Sequence, residues 1–150
     1  MSYFIDRIQP DELEASVSPL TVIQWQEVDE RRKSSEINVQ WDSYRAMMDM
    51  GKNHWLGVYT DKAELVGYIS FFLTESLHTG ELTALTDTTY VLKEYRGGNV
   101  GKALISNAMD MAKALGAKHF MSTFKNGVDH EQITKDLGLF NYETVYCKAL

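Results

Sequence analysis

The residues best placed to do chemistry together lie in one stretch, Tyr90-Val91-Leu92-Lys93-Glu94-Tyr95-Arg96-Gly97-Gly98-Asn99-Val100-Gly101-Lys102-Ala103-Leu104. It reads as the end of a strand, a glycine-rich turn and the start of a helix. Glycines let the backbone adopt positive φ and let a ligand come close to the chain. The first amides of the helix have no intrahelical partner, and the macrodipole adds about half a positive charge there. Together these features form a phosphate cradle. Spacing then narrows the choice of phosphate. A Walker A loop needs glycine where Arg96 stands and a hydroxyl where Ala103 stands. A dinucleotide fingerprint begun at Gly97 needs glycine at Asn99 and Lys102, and belongs in an early βαβ unit that this chain lacks. Nucleotide hydrolysis and nicotinamide chemistry are poor fits. An ordinary tight turn ahead of a helix is the plain alternative.

The elements that must position this turn follow from periodicity. Tyr3–Ile8 alternates as a strand that Pro10 ends. Residues 11–50 are helical or irregular, with Trp41, Tyr44 and Met48 on one helical face and Gly51 as C-cap. His54–Thr60 and Glu64–Thr74 read as strands joined through Asp61-Lys62, and Glu81–Val91 as a third, threonine-rich one. After the turn, Val100, Leu104, Ala108, Met111, Ala112 and Leu115 form one stripe, and Gly116 closes the helix. His119–Phe124 is a further strand. Asp129-His130-Glu131-Gln132 resembles a capping box opening a short helix to Leu137, stopped by Gly138. Asn141–Lys148 is a last strand. This order predicts one α+β domain with a largely antiparallel sheet.

Composition bounds the function. The chain has 150 residues, 44% hydrophobic and 24% charged, which is the usage of an ordinary folded domain of single-domain size. The formal net charge of −6 argues against a general nucleic-acid binder. One cysteine, Cys147, excludes an intrachain disulfide and a cysteine-built zinc site; it reads as a small buried hydrophobe. No apolar run approaches the roughly 18 residues of a membrane helix, and the start, MSYFIDRIQPDE, lacks the pattern of a signal peptide, so a cytoplasmic location is expected. The charge is unevenly spread. Residues 1–92 hold 15 acids and 7 Lys/Arg, a balance of −8; residues 93–125 hold 2 and 6, a balance of +4; the rest holds 4 and 2, giving −2. The basic third coincides with the glycine turn, as an anion site requires, although clustered surface lysines produce the same arithmetic.

Arg96-Gly97-Gly98-Asn99-Val100-Gly101, preceded by Tyr90-Val91 and Lys93-Glu94-Tyr95, resembles the [QR]-x-x-G-x-[GA] signature of the GNAT superfamily of acetyl-CoA-dependent N-acetyltransferases. The first and last positions match, and Asn99 replaces the middle glycine. The order of elements is also the family's. The resemblance implies a GNAT-like mixed, mostly antiparallel sheet of six to seven strands flanked by about four helices. It implies that amides from Gly97 to Lys102, within the set Arg96, Gly97, Gly98, Asn99, Val100, Gly101 and Lys102, bind the pyrophosphate of coenzyme A. Val91 and Leu92 would pair with the pantetheine arm as an added strand, beside a slot left where the sheet splays. Asn126 and Leu137-Gly138-Leu139 are similar to the second cofactor-contacting segment.

The reaction so implied is attack of a neutral amine on the acetyl thioester, with a base for the amine's proton and an acid for the departing thiolate. No metal is called for. The family often draws its base from the strand before the motif, where Asp87 stands among Thr86, Thr88 and Thr89, and Glu81 at the strand's start; an outward, solvated carboxylate is the competing reading of Asp87. His54 and His78 read as strand-end or surface histidines. The family's usual acid, a tyrosine, is here Thr134, a weak donor. Tyr142 or Tyr146 would act only if the fold returned one to the slot. The amine-bearing acceptor, a small molecule or a protein lysine or N-terminus, falls by resemblance to residues 11–51. There Trp25, Trp41, Tyr44 and Met47/Met48/Met50 accompany Glu27, Asp29 and Glu30; the core stripe of an amphipathic helix accounts for Trp41, Tyr44 and Met48 equally. Arg31-Arg32-Lys33 reads as a solvated face. Neither nucleic acid nor membrane is expected as a partner, and the chain is a monomer or homodimer. A catalytically weak or inactive module that binds acyl-CoA or a protein partner is the alternative, motivated by Asn99 and Thr134.

Overall fold

Five strands follow one another across a single mixed sheet in chain order: β1 (Tyr3–Arg7), β2 (Asn53–Thr60), β3 (Leu65–Glu75), β4 (Leu82–Val91) and β5 (His119–Met121). This computed structural model describes residues 2–28, 30–33, 36–125 and 129–150. The first four strands pair antiparallel, and β5 runs parallel to β4. Four α-helices accompany them: α1 (Leu13–Gln26), α2 (Trp41–Asp49), α3 (Val100–Ala114) and α4 (Glu131–Asp136).

Side-chain alternation divides the core between the two faces of the sheet. On one face Leu56, Val58, Val66, Ile69, Phe71 and Ala84 pack against Val100, Leu104, Ile105, Ala108 and Ala112 of α3. On the other, Trp55, Tyr68 and Tyr90 pack against Leu13, Val17 and Leu20 of α1, and Trp41, Tyr44 and Met48 of α2 close over them. Each fully buried large side chain, such as Leu104 or Phe71, contributes about 1.5–3 kcal/mol. The predicted stripe of α3 holds through Ala112, but Leu115 is 38% exposed because it lies past the last helical turn, at the C-cap. Gly116 follows with φ +99°, the left-handed stop expected of it.

Two irregularities of β4 shape the site. Ser70 pairs with Thr88 and Phe71 with Thr86, so Asp87 is an extra residue opposite nothing: a β-bulge. A bulge turns two successive side chains toward one face. Moreover, β4 pairs with β5 at Thr83, Ala84 and Leu85 alone. From Thr86 to Val91 its outer edge has no partner strand among the described residues, and the amide of Thr123 donates to Thr86 Oγ1 (3.2 Å) where the chain turns away.

The sheet is narrower than the six to seven strands expected. Residues 141–150 form no strand and are exposed throughout, and Cys147 is exposed rather than buried. Alternating apolar residues give a strand its preference, but a strand forms only against a neighbour, and this segment has none among the described residues. The strand predicted over His119–Phe124 stops at Met121 for the same reason. The short helix starts at Glu131 with His130 at the N-cap and no side-chain cap; Asp129 Oδ1 instead accepts the Glu131 amide (3.1 Å), so the capping box does not form.

Candidate functional site

The turn is built by backbone geometry. Beyond β4 a 3-10 turn (Lys93–Tyr95) leads to Arg96, extended, then Gly97 at φ +99° and Gly98 at φ +58°. Both glycines occupy left-handed conformations that a side chain would strain. Asn99 has φ −117°, so its position never required the family's middle glycine, and its side chain leaves the helix uncapped. The first intrahelical bond runs from the Ala103 amide to Asn99 O (2.8 Å), which leaves the amides of Val100, Gly101 and Lys102 without helical partners. Gly101 is not at positive φ, and a Cβ there would meet nothing within 4 Å. Space that a side chain could fill beside uncapped amides is what a pyrophosphate needs. These residues fit coenzyme A.

A cavity of about 510 Å³ borders the turn, lined by Tyr3, Ile5, Val58, Tyr95 and residues 96–100 among others. The side chains expected to help there are already engaged. Arg96 donates from Nε to Val91 O (2.8 Å) and from Nη2 to both oxygens of Glu27 (2.8 and 2.9 Å), with its guanidinium 5.3 Å from the centre of the Tyr90 ring. The Tyr90 hydroxyl donates to the same Glu27 carboxylate. Burial pushes Glu27 upward, but the hydrogen bonds from Tyr90 and Arg96 and the positive charge of Arg96 outweigh it and hold the carboxyl below its usual range. Burial and the Glu27 contact lift the Tyr90 phenol to about 12. Lys102 pairs with Asp136 of α4 (2.9 Å). The Leu92 amide bonds Val66 O (2.9 Å), so strand-like pairing through an outward amide falls to Val91 and not to Leu92.

On the α1/α2 face a cleft of about 720 Å³ opens beside β4. Its wall is aromatic and apolar: Trp25, Trp41, Tyr44, Met47, Trp55 and Phe72, with Asp87 and Thr88 side by side, as the bulge dictates. Trp55 is held from beneath. Its Nε1 donates to Asn53 Oδ1 (2.7 Å), and the buried Asn53 amide donates in turn to Ser70 Oγ (3.0 Å) and Phe71 O (3.2 Å). Gln24 of α1 donates to Thr88 Oγ1 (2.8 Å) and accepts from the Tyr68 hydroxyl, fixing α1 against the bulge. The Tyr44 hydroxyl donates to Asp87 Oδ2 at 2.5 Å. Asp87 remains accessible from the open cleft, yet the surrounding walls remove enough water to raise its carboxyl above the ordinary range, against the lowering effect of the Tyr44 bond. Burial first, and then the Asp87 contact, push the Tyr44 phenol strongly upward, so it stays protonated. Asp87 and the exposed Glu36 are the charged residues lining the cleft; no lysine or arginine lines it among the described residues.

The structure therefore brings Asp87, Trp25, Trp41, Tyr44 and Met47 together, and leaves other expected residues apart. Thr134 donates its hydroxyl to Glu131 O within α4 (2.9 Å) and lines neither cavity. Tyr142 and Tyr146 are 71% and 92% exposed. Glu81 and His78 are exposed in the β3–β4 connection. His54 is buried, its Nε2 on Gly51 O (3.0 Å) and Nδ1 facing the Arg7 guanidinium (3.2 Å). Met48 belongs to the core, Met50 is 63% exposed, and Glu30 pairs with Lys33 (2.7 Å). Lys33 is not part of a solvated face: its ammonium lies over the Trp25 ring, 5.7 Å from the centroid. Asn126 and Asp29 lie outside the described residues. Sequence reasoning missed Trp55, Phe72 and Gln24 as cleft or support residues. The partners of Gln24 and Phe72 are dozens of positions away, and no local pattern marks Trp55 as a cleft residue.

A mixed sheet opened along one strand, with a glycine turn at its end and a cleft on its flank, defines a class of acyl-transfer folds. The family profile described as "Acetyltransferase (GNAT) family" matches residues 16–132, and the chain belongs to that family. Solved structures agree on the fold. Glucosamine-6-phosphate N-acetyltransferase from Arabidopsis thaliana superposes with a TM-score of 0.75 at 13% identity, covering 99% of each chain. Ribosomal-protein-alanine N-acetyltransferase from Brucella melitensis biovar Abortus 2308 gives 0.74 at 18% identity over 100% of each chain. An aminoglycoside acetyltransferase from an uncultured soil metagenomic sample gives 0.77 at 16%, covering 100% of this chain and 99% of that one. No curated protein matches the sequence. No helix among the described residues is long and apolar enough to cross a membrane, and no cluster of three or more His, Cys, Asp or Glu among them could hold a metal ion.

Proposed function

We propose that the protein transfers an acetyl group from acetyl-CoA to the primary amine of an acceptor with an apolar or aromatic body. The observation that carries this reading is the position of Asp87: a carboxylate on the bulge of β4, at the floor of an aromatic cleft, on the strand whose open edge leads to the glycine turn. Bound acetyl-CoA supplies the acetyl thioester. The uncapped amides of Val100, Gly101 and Lys102 hold its pyrophosphate, and the outward backbone of Val91 orients the arm. Tyr44 holds Asp87 Oδ2, leaving Oδ1 to attract the ammonium group and take its proton, as the amine must be neutral to react. A carboxyl raised above its ordinary range is a better match for that task than one at its ordinary value.

The wall chemistry narrows the acceptor. Trp41 offers a face for a cation or an aromatic group, and the two carboxylates that line the cleft among the described residues, Asp87 and Glu36, disfavour a phosphorylated amine. The test is release of coenzyme A thiol with a panel of amines. Arylalkylamines should react at least tenfold faster in kcat/KM than amino-sugar phosphates; the reverse order would overturn the assignment.

A second reading follows from Thr134, whose hydroxyl serves its own helix. With no phenol acid from α4, the module could bind acyl-CoA without turnover. Heat on titration with acetyl-CoA, but no thiol release with any amine, supports that reading over the first.

A further inference from the structure

β4 and β5 part at a definite point. Their parallel ladder sets Ala84 against Phe120 and Leu85 against Met121, and it ends there. One residue further, the same register would set Thr86 against Ser122. Instead the Thr123 amide donates to Thr86 Oγ1 (3.2 Å), and the ladder is not continued. Thr86 is buried, so two hydroxyls lie inside the vertex of the opening rather than on the surface. That of Thr86 is engaged by Thr123. That of Ser122 is buried and has no hydrogen-bond partner among the described residues. Folded chains rarely leave a buried hydroxyl unpaired, so this one asks for a role that the fold itself does not supply.

Its place in the sheet indicates which role. The unpartnered edge of β4 from Val91 to Thr86 runs roughly 16 Å, at about 3.3 Å per residue, from the glycine turn to this vertex. An extended ligand held at the turn and laid along that edge ends beside Ser122. Asp87 follows Thr86 directly and, on the bulge, opens into the acceptor cleft. Ser122 does not line that cleft, so the carboxylate serves the acceptor's side and the orphaned hydroxyl does not.

We propose, resting on the acetyl-transfer reading above, that Ser122 Oγ donates a hydrogen bond to the sulfur of coenzyme A and stabilises it as it departs. The amine nitrogen bonds to the acetyl carbon, the C–S bond breaks, and its electron pair stays on sulfur. Asp87 takes the amine's proton. Ser122 keeps its own, because an aliphatic hydroxyl donates a hydrogen bond without acting as a strong acid. The thiolate gains a proton from solvent on release. A donor already fixed where negative charge develops lowers the barrier without reorganisation. Thr134, whose hydroxyl bonds Glu131 O, leaves this task to another group.

A cycle of two proteins and two ligands tests the contact without turnover. Wild type and Ser122→Ala are titrated by calorimetry with coenzyme A and with desulfo-coenzyme A, at about pH 9, where thiols ionise appreciably. The substitution should weaken coenzyme A about tenfold, as loss of a hydrogen bond to a charged group does, and leave the desulfo analogue within about twofold. Equal loss with both ligands, or loss with neither, overturns the assignment. Without ligand, Ser122→Ala should melt no lower than wild type, because the hydroxyl bonds nothing in the fold. A lower melting temperature would make Ser122 structural and overturn it too. With acetyl-CoA and a reactive amine, Ser122→Ala should lose about 10- to 100-fold in kcat. An undiminished kcat overturns the role of Ser122 and leaves acetyl transfer standing. No thiol release from wild type removes acetyl transfer instead, and with it the catalytic part of the proposal.

Discussion

Glu27 and Asp87 are two carboxylates on the same side of the sheet with opposite fates. Glu27, by the glycine turn, is gripped by Arg96 and Tyr90 and held below the usual range; Asp87, in the cleft, is raised above it by its walls. The first has a fixed charge and serves as a tie. The second takes up a proton more readily than an ordinary carboxylate, has one oxygen open, and on the proposed reading is the one that moves a proton. The same contrast holds for the regions around them. The turn is made of backbone conformation and free amides, whereas the cleft is made of side chains from α1, α2, β2, β3 and β4. On the proposed reading the backbone device holds acetyl-CoA and the side-chain device selects the acceptor.

The sharpest way to break the comparison is to remove the charge that can change. Asp87→Asn should lower kcat/KM for the best amine by about 10²–10⁴-fold. Affinity for acetyl-CoA, measured by calorimetry, should stay within about twofold, because no residue of the turn is touched. Equal loss of both would show that Asp87 holds the fold rather than the proton.

The turn has its own test at Gly101, whose Cβ position is open and whose φ is not left-handed. Gly101→Val should weaken acetyl-CoA about 10- to 100-fold, the cost of one or two lost hydrogen bonds to a charged group. Gly101→Ala should weaken it less while stabilising α3 by about 0.5–1 kcal/mol, since alanine is the better helix former. Thermal denaturation without ligand separates the two effects. Undiminished binding by the valine variant would remove the pyrophosphate from this turn.

These two sites were not equally legible in the sequence. The glycine turn was readable because its chemistry is local: strand, left-handed glycines and helix start occupy one run of residues, and each leaves a mark of composition or period. Even there the Leu92 amide, grouped with Val91 from the sequence, serves the sheet. The cleft was half-readable. Asp87 stood out as an acid within a strand, and Trp41 and Tyr44 as a helical face. The bulge that aims Asp87 arises from pairing with β3 and leaves no local trace. Nor could Tyr44 be joined to Asp87 across 43 positions. The last predicted strand failed for the complementary reason: its local preference was real, but preference does not supply a neighbour.

A smaller effect tests the fixed charge. Because Glu27 is held below its unfolded range, its contribution to stability is present above that range and is lost as pH falls through its folded value. Glu27→Gln should cost about 1 kcal/mol at neutral pH, since Arg96 is partly exposed and such pairs are weak. The loss should shrink in acid. Urea denaturation of both proteins between pH 3 and 7 measures it; a cost that grows toward acid would contradict the tie.

The smallest effect separates the two carboxylates most finely. Tyr44 donates to Asp87 Oδ2 and favours the charged form, so it lowers a carboxyl that desolvation has raised. Tyr44→Phe removes the lowering influence and keeps most of the ring, with its edge-on contact to Trp55. The Asp87 carboxyl should therefore rise further, and the acid limb of the kcat/KM profile should move to higher pH. The plateau should change little, because a stronger base offsets a less rigid one. The shift must vanish in the Asp87→Asn background, where no carboxyl remains to titrate. In the Glu27→Gln background it must persist in full, because the tie at the turn takes no part in the proton transfer. A limb that moved to lower pH, or moved only when Glu27 was intact, would mean that the two carboxylates act as one network and that the division between turn and cleft is wrong.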